Sequence, residues 1–188
     1  MAKLLSAVKA ALASSEQFVE KESRRNKEEP VGNSLILRQL KQQIESLQHT
    51  NTAVFFSGVN GSGRRIWASY LSRLSNPDVS MRDLDFNQDL AEMLPLKSNL
   101  YVTEITDLSL AQQTGLYEAI EDNPESCRYR FIVSSHYDFA QLSENNKIPA
   151  RLAEFWQQAI HIPSLDEHIE DIPELLEYYV NWYGEFEQ

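Results

Sequence analysis

The hydrophobic positions of this 188-residue chain alternate between two kinds of pattern. Short apolar runs, typical of buried strands, are separated by longer segments in which apolar residues recur every three or four positions, as on one face of a helix. The predicted strands span 52–57, 78–82, 99–104, 129–135 and 159–162. The predicted helices between them span about 63–75, 109–122 and 150–157. This alternation predicts an α/β fold with a mostly parallel five-stranded sheet and helices on both faces.

Further helices are predicted on both sides of this core. A helix beginning near Leu35 has Asn33 or Ser34 as its cap, and Pro173 suits the first turn of a helix close to the end of the sequence. We therefore divide the chain into an amphipathic N-terminal helical extension (1–29), an α/β core (30–165) and an acidic C-terminal helix (166–188).

Composition and charge narrow the classes of function. The formal charge of −11 argues against direct binding to nucleic acid, because the phosphate backbone repels an acidic surface. No apolar run is long enough to span a membrane, so no membrane contact is expected. The single cysteine, Cys127, permits no intramolecular disulfide, which fits a cytoplasmic location. No Lys or Arg follows Arg151, and this acidic end is either a solvated helix or a docking surface for a basic partner.

The segment from Ser57 to Arg65 has the glycine skeleton of a phosphate-binding P-loop between a predicted strand and a predicted helix. In such loops the backbone N–H groups surround phosphate oxygens at the positive end of the helix dipole. Arg64 occupies the position of the usual lysine, and it keeps the charge on a longer, planar group. The predicted nucleotide-binding residues are Gly58, Asn60, Gly61, Ser62, Gly63, Arg64 and Arg65.

Two further residues follow predicted strands. ATPases of this kind place an acidic pair after a second apolar strand, one carboxylate for magnesium and one for the attacking water. Here Thr103 stands at the metal position and Glu104 remains as the only remnant of that pair, so no catalytic residue is assigned. His136 ends another strand, either as a sensor-like residue or as a structural histidine. No metal site is predicted, because metal-ligand spacing is missing from the other histidines, His49, His161 and His168.

Taken in order, the motifs from Val31 to about Trp182 resemble the central AAA+ ATPase domain of bacterial enhancer-binding proteins, the activators of sigma-54 RNA polymerase. The matching segments are Val31–Ser34 (the opening motif), Ser57–Arg65 (G-E-S-G-T-G-K-E), Leu100–Ile105 (L-F-L-D-E-I), Ile132–His136 (the sensor strand, ending A-T-N), His161–Leu165 (H-L-P-P-L) and Glu170–Pro173 (E-D-I-P). The resemblance implies a P-loop NTPase fold of the AAA+ type. No cofactor is assigned, and ATP and ADP are the candidates.

The departures from this family are systematic. Arg64 replaces the lysine, Thr103 the metal aspartate and His136 the sensor asparagine. The G-A-F-T-G-A loop that grips the sigma factor is missing between Leu84 and Lys97. The helical lid is likewise expected to be largely missing after about residue 185. These losses predict a degenerate ATPase.

Three functional interpretations follow from the sequence. The preferred one is a bacterial AAA+ module that does not hydrolyse ATP and regulates through a protein partner, such as a related AAA+ regulator. The second is an ATP- or ADP-binding switch without turnover, in which Arg64 and Arg65 hold phosphates. The third is a weak ATPase with Glu104 as the base. The identity of the partner and the oligomeric state are left open.

Overall fold

The core of the molecule is a five-stranded sheet. The computed structural model describes residues 29–50, 52–84, 98–122, 130–144, 147–149, 151–152 and 159–184. The strands are β1 (Val54–Ser57), β2 (Met81–Asp83), β3 (Asn99–Val102), β4 (Phe131–Ser135) and β5 (Ile160–His161). Their order across the sheet is β2-β3-β4-β1-β5, and all neighbours are parallel. The predicted α/β class is thereby confirmed.

Helices connect these strands. They are α1 (Leu35–Ser46), α2 (Arg64–Ser75), α3 (Leu110–Glu121), α4 (Phe139–Glu144) and α5 (Ile172–Gly184). Short 3-10 helices span Ile105–Asp107, Leu165–Glu167 and Ile169–Asp171. Among the residues described, no helix combines the length and apolar character needed to cross a bilayer.

Most predicted elements agree with the structure to within a few residues. Strand β2 begins later than predicted, because Asn76 accepts a hydrogen bond from the backbone N–H of Asp78 and starts a turn. Helix α4 was missed, since six residues are too few to show a helical period. Of the predicted helix 150–157, residues 151–152 are helical and the others lie outside the described residues, as does the predicted extension up to residue 28.

Alternate residues of each strand face opposite sides of the sheet, and both sides are covered. Phe56 packs in one buried cluster with residues of α1 and α2, whereas Phe55 packs in a second cluster with residues of α3. Because both faces are buried, every residue of β1, β3 and β4 is buried, and these strands are mostly apolar without regular polar alternation. The sheet is thus a rigid support for the loops at its carboxyl edge.

Asp171, immediately before α5, connects that helix by hydrogen bonds to the segment that precedes α1. Its carboxylate accepts hydrogen bonds from the backbone N–H groups of Asn33 and Ser34, both at 2.8 Å. Ser34, rather than Asn33, is the N-cap of α1. Burial alone would raise the pKa of Asp171, but the hydrogen bonds from Ser34 and Asn33 lower it below its ordinary value. Asp171 therefore remains ionised and joins two segments that are distant in the sequence.

Candidate functional site: a P-loop with an occupied acidic centre

The glycine-rich loop connects β1 to α2 at the carboxyl edge of the sheet, where ligands of such sheets bind. A Cβ at Gly58 would lie 2.6 Å from the carbonyl oxygen of Ile162 and 2.7 Å from Ser62 Oγ, so a side chain does not fit there. Gly63 is the N-cap of α2 with φ of 85°, a left-handed conformation that favours glycine. Both glycines are therefore required by the shape of the loop.

The loop presents unpaired backbone donors. The N–H groups of Gly61, Gly63 and Arg64 donate to no group in the described part of the structure. The space beside Gly61 is open, since a Cβ there would meet nothing within 4 Å. Free N–H groups at the start of a 12-residue helix are well suited to an anion.

The two arginines that follow the loop are both engaged by carboxylates. Arg64 Nη1 lies 3.4 Å from Glu104 Oε2, and Arg64 Nη2 donates to Asn60 Oδ1 at 3.2 Å. Arg65 pairs with Asp83 at the end of β2, and its guanidinium lies over the ring of Tyr101 at 5.6 Å. Neither positive charge is left uncompensated near the loop.

Glu104 lies at the centre of the site. Its Oε1 accepts hydrogen bonds from the hydroxyls of Ser135 at 2.6 Å and Thr106 at 2.9 Å, and from the N–H of Thr106 at 3.2 Å. Its Oε2 accepts from the N–H of His136 at 2.8 Å and lies 2.6 Å from His136 Nδ1. We call the set Arg64, Glu104, Thr106, Ser135 and His136 the Glu104 cluster.

The hydrogen bonds fix the charge of Glu104. Burial alone would raise its pKa, because only 9% of the side chain is exposed. The hydrogen bonds from Ser135, His136 and Thr106 outweigh burial and lower the pKa to about 2. A general base works best with a pKa near the operating pH and with free access to the proton that it removes. Glu104 has neither property in this arrangement.

Sequence reasoning found part of this cluster. It selected Arg64, Glu104 and His136, and the structure brings all three together. It missed Ser135 and Thr106, although a hydroxyl residue just before His136 and another two residues after Glu104 were available signals. Thr103, at the predicted metal position, follows β3 and is exposed. In the described part of the chain, no three His, Cys, Asp or Glu side chains are grouped so that they could hold a metal ion.

A cavity of about 310 Å³ opens beside the loop. Gly61, Ser62 and Gly63 line it on the loop side, and the other lining residues are mostly apolar. These other residues are Glu29, Pro30, Val31, Leu37, Ile66, Trp67, Leu165, His168, Ile172, Leu175, Leu176 and Tyr179. The volume is typical of a small-molecule pocket, and apolar walls that lead to free N–H groups suit a base joined to phosphates. The contribution of α5 to this cavity was not predicted, although the E-D-I-P segment Glu170–Pro173 marks the start of that helix.

The family of the chain follows from comparison with known proteins. The profile of the Sigma-54 interaction domain family matches residues 31–165, which contain the sheet, the loop and the Glu104 cluster. The chain belongs to the sigma-54 interaction domain family. None of the curated protein sequences matches it.

Solved structures agree with this assignment of the sigma-54 interaction domain. NtrX from Brucella abortus in complex with ATP is 19% identical with a TM-score of 0.66, over 94% of this chain and 48% of that chain. The P-loop NTPase domain of the sigma-54 transport activator from E. coli is 24% identical with a TM-score of 0.58, over 72% of this chain and 99% of that chain. AMPPCP-bound DnaA from Aquifex aeolicus is 17% identical with a TM-score of 0.55, over 81% of this chain and 54% of that chain. These similarities confirm the AAA+ fold, and the chain spans about half the length of NtrX.

Replacing Glu104 with glutamine tests the energetic role of the cluster. The pKa of Glu104 falls from 4.5 to about 2 on folding, so its stabilisation is present above pH 4.5 and is lost as the pH falls towards 2. One pKa unit corresponds to about 1.4 kcal/mol, so we expect Glu104→Gln to lower the free energy of unfolding at neutral pH by about 3 kcal/mol. Urea denaturation from pH 7 to pH 3 measures this difference, which should shrink as the pH falls below 4.5.

Glu118→Gln is the matched control, because Glu118 is an exposed residue of α3. We expect it to change the free energy of unfolding by less than about 0.5 kcal/mol at every pH. The free energy of unfolding should differ between Glu104→Gln and the unchanged chain by an amount that depends on pH. A difference that stays constant with pH would contradict the lowered pKa of Glu104.

Proposed function

We propose that this sigma-54 interaction domain is a regulatory AAA+ module that does not hydrolyse ATP and acts through contact with a protein partner. The observation that carries the proposal is the state of Glu104. Both of its oxygens accept hydrogen bonds, and one of them also faces Arg64. Glu104, which stands at the position of a catalytic base, is therefore held by structural hydrogen bonds.

Hydrolysis would demand large changes at this site. Orienting an attacking water would require Glu104 to exchange hydrogen bonds with Ser135 and His136 for bonds with that water. Compensation of the phosphate charge by magnesium would normally use a carboxylate at position 103. Thr103 offers a neutral oxygen there instead. These features favour an inherited ATPase fold without turnover.

An ATPase assay tests the absence of turnover. We expect phosphate release from ATP and Mg²⁺ to stay at the level of a protein-free blank, and Glu104→Gln to leave that level unchanged. A phosphate-sensor assay at several micromolar protein is sensitive enough for slow AAA+ turnover. Release above the blank that Glu104→Gln abolishes, while Glu118→Gln preserves it, would overturn the proposal and would favour the weak ATPase.

The proposed partner surface is the outer face of α5. Leu176 and Val180 are 62% and 68% exposed there, next to the exposed acidic residue Glu177. No Lys or Arg follows Arg151, so this face suits a partner that offers apolar residues within a basic surround. A related AAA+ regulator is the partner that we propose.

Mixing experiments with a sigma-54 activator AAA+ domain test this surface. We expect light scattering to detect a complex at tens of micromolar, and Val180→Asp to weaken it at least tenfold, because a charge replaces an apolar contact. Glu118→Gln on α3 should leave the complex intact. An unchanged mass on mixing, or equal binding by Val180→Asp, would contradict the proposed partner and surface.

A second candidate function is the binding of an adenine nucleotide as a regulatory ligand, and the cavity favours it. The N–H groups of Gly61, Gly63 and Arg64 would hold phosphates, while the apolar walls would hold the base. A bound nucleotide supplies negative charge at the start of α2. Because α5 forms one wall, the ligand would restrain that helix against the core.

Filling the cavity tests this second candidate. We expect calorimetry to detect adenine nucleotide binding, and Leu175→Trp to weaken it at least tenfold, because the larger side chain occupies the space of the base. Val180→Trp is the matched control on the same helix, since Val180 is exposed and lies outside the cavity lining. No heat at millimolar nucleotide would end this candidate, and would leave the proposed absence of hydrolysis intact.

A further inference from the structure

We infer that the site selects nucleoside diphosphates over nucleoside triphosphates and holds them without a divalent cation. This inference rests on the nucleotide-binding candidate above and adds to it a specificity determinant. The determinant is the Glu104 cluster, which fills the space beyond the loop. Specificity here arises from repulsion of the longer ligand rather than from new contacts with the shorter one.

The geometry sets the direction of the phosphate chain. Gly61, Ser62 and Gly63 line the cavity and directly precede α2. With the base against the apolar walls, we place the phosphates at these loop residues and the end of the phosphate chain towards the start of α2. The N–H groups of Gly61, Gly63 and Arg64 can hold phosphates at the loop itself. A further phosphate extends towards the side chain of Arg64 and the carboxylate that it faces.

The position that a third phosphate would take is occupied by the ion pair between Arg64 and Glu104. The guanidinium of Arg64 bridges Asn60 of the loop and Glu104 after β3, with contacts of 3.2 and 3.4 Å, and its side chain is only 10% exposed. A terminal phosphate would have to separate Arg64 from Glu104. It would then stand next to an ionised carboxylate in a poorly solvated site, where like charges repel strongly.

The site offers little to offset this repulsion. Arg65 is already paired with Asp83 and stacked over Tyr101. Both oxygens of Glu104 are engaged with Ser135, His136 and Thr106, so coordination of a magnesium ion would cost those hydrogen bonds. A diphosphate avoids these costs because it ends at the backbone donors of the loop.

Competitive calorimetry with ADP and ATP, each in EDTA and in Mg²⁺, tests the inference. We expect ADP to bind at least tenfold more tightly than ATP, with an affinity that EDTA does not reduce. Glu104→Gln should bring the ratio below about threefold by removing the repelling charge, whereas Glu118→Gln should leave it unchanged. Circular dichroism verifies that each variant is folded, and the ratio for the unchanged chain tests the selectivity without any variant.

The outcomes separate the two claims. If neither nucleotide binds, the nucleotide-binding candidate itself fails. If ATP binds as tightly as ADP, or if ADP requires Mg²⁺, nucleotide binding stands and the selectivity is overturned. If a folded Glu104→Gln retains the full preference for ADP, the Glu104 cluster is not its cause.

Discussion

The carboxyl edge of the sheet depends on one buried carboxylate. Glu104 follows β3, and its hydrogen bonds reach Ser135 and His136 at the end of β4 and Arg64 at the start of α2. A buried charge destabilises the folded protein unless it is paired and hydrogen-bonded. The position of Glu104 therefore determines the positions of these partners. Three elements at the carboxyl edge of the sheet thus share one electrostatic centre.

Under the proposed function, this centre opposes catalysis for the same reason that it stabilises the fold. Each hydrogen bond that keeps Glu104 ionised also lowers its affinity for the proton of an attacking water. Releasing the carboxylate for chemistry would leave Ser135 and the ring of His136 without their acceptor. The proposed absence of hydrolysis agrees with these contacts, whereas the loop beside them keeps free N–H donors.

The sequence predicted the sheet because its strands are buried on both faces and appear as plain apolar runs. It predicted the loop because Gly58 and Gly63 are fixed by a close backbone approach and a left-handed turn. The cluster around Glu104 was harder to foresee. Its partners meet only through the parallel register that sets Val102 beside Val133, and register is a property of the assembled sheet. The apolar cavity was not foreseen either, since 3-10 turns rather than a long periodic element bring α5 to the loop.

The position of α5 links the cavity to the rest of the molecule. Asp171 accepts hydrogen bonds from the N–H groups of Asn33 and Ser34, so the start of α5 and the start of α1 are directly connected. Pro30 and Val31, just before α1, line the same cavity as Leu175 of α5. A ligand between these segments and the loop would contact both sides of the Asp171 junction at once. Because Leu176 lines the cavity and is also exposed, a ligand in the cavity and a partner on the outer face of α5 would contact the same side chain.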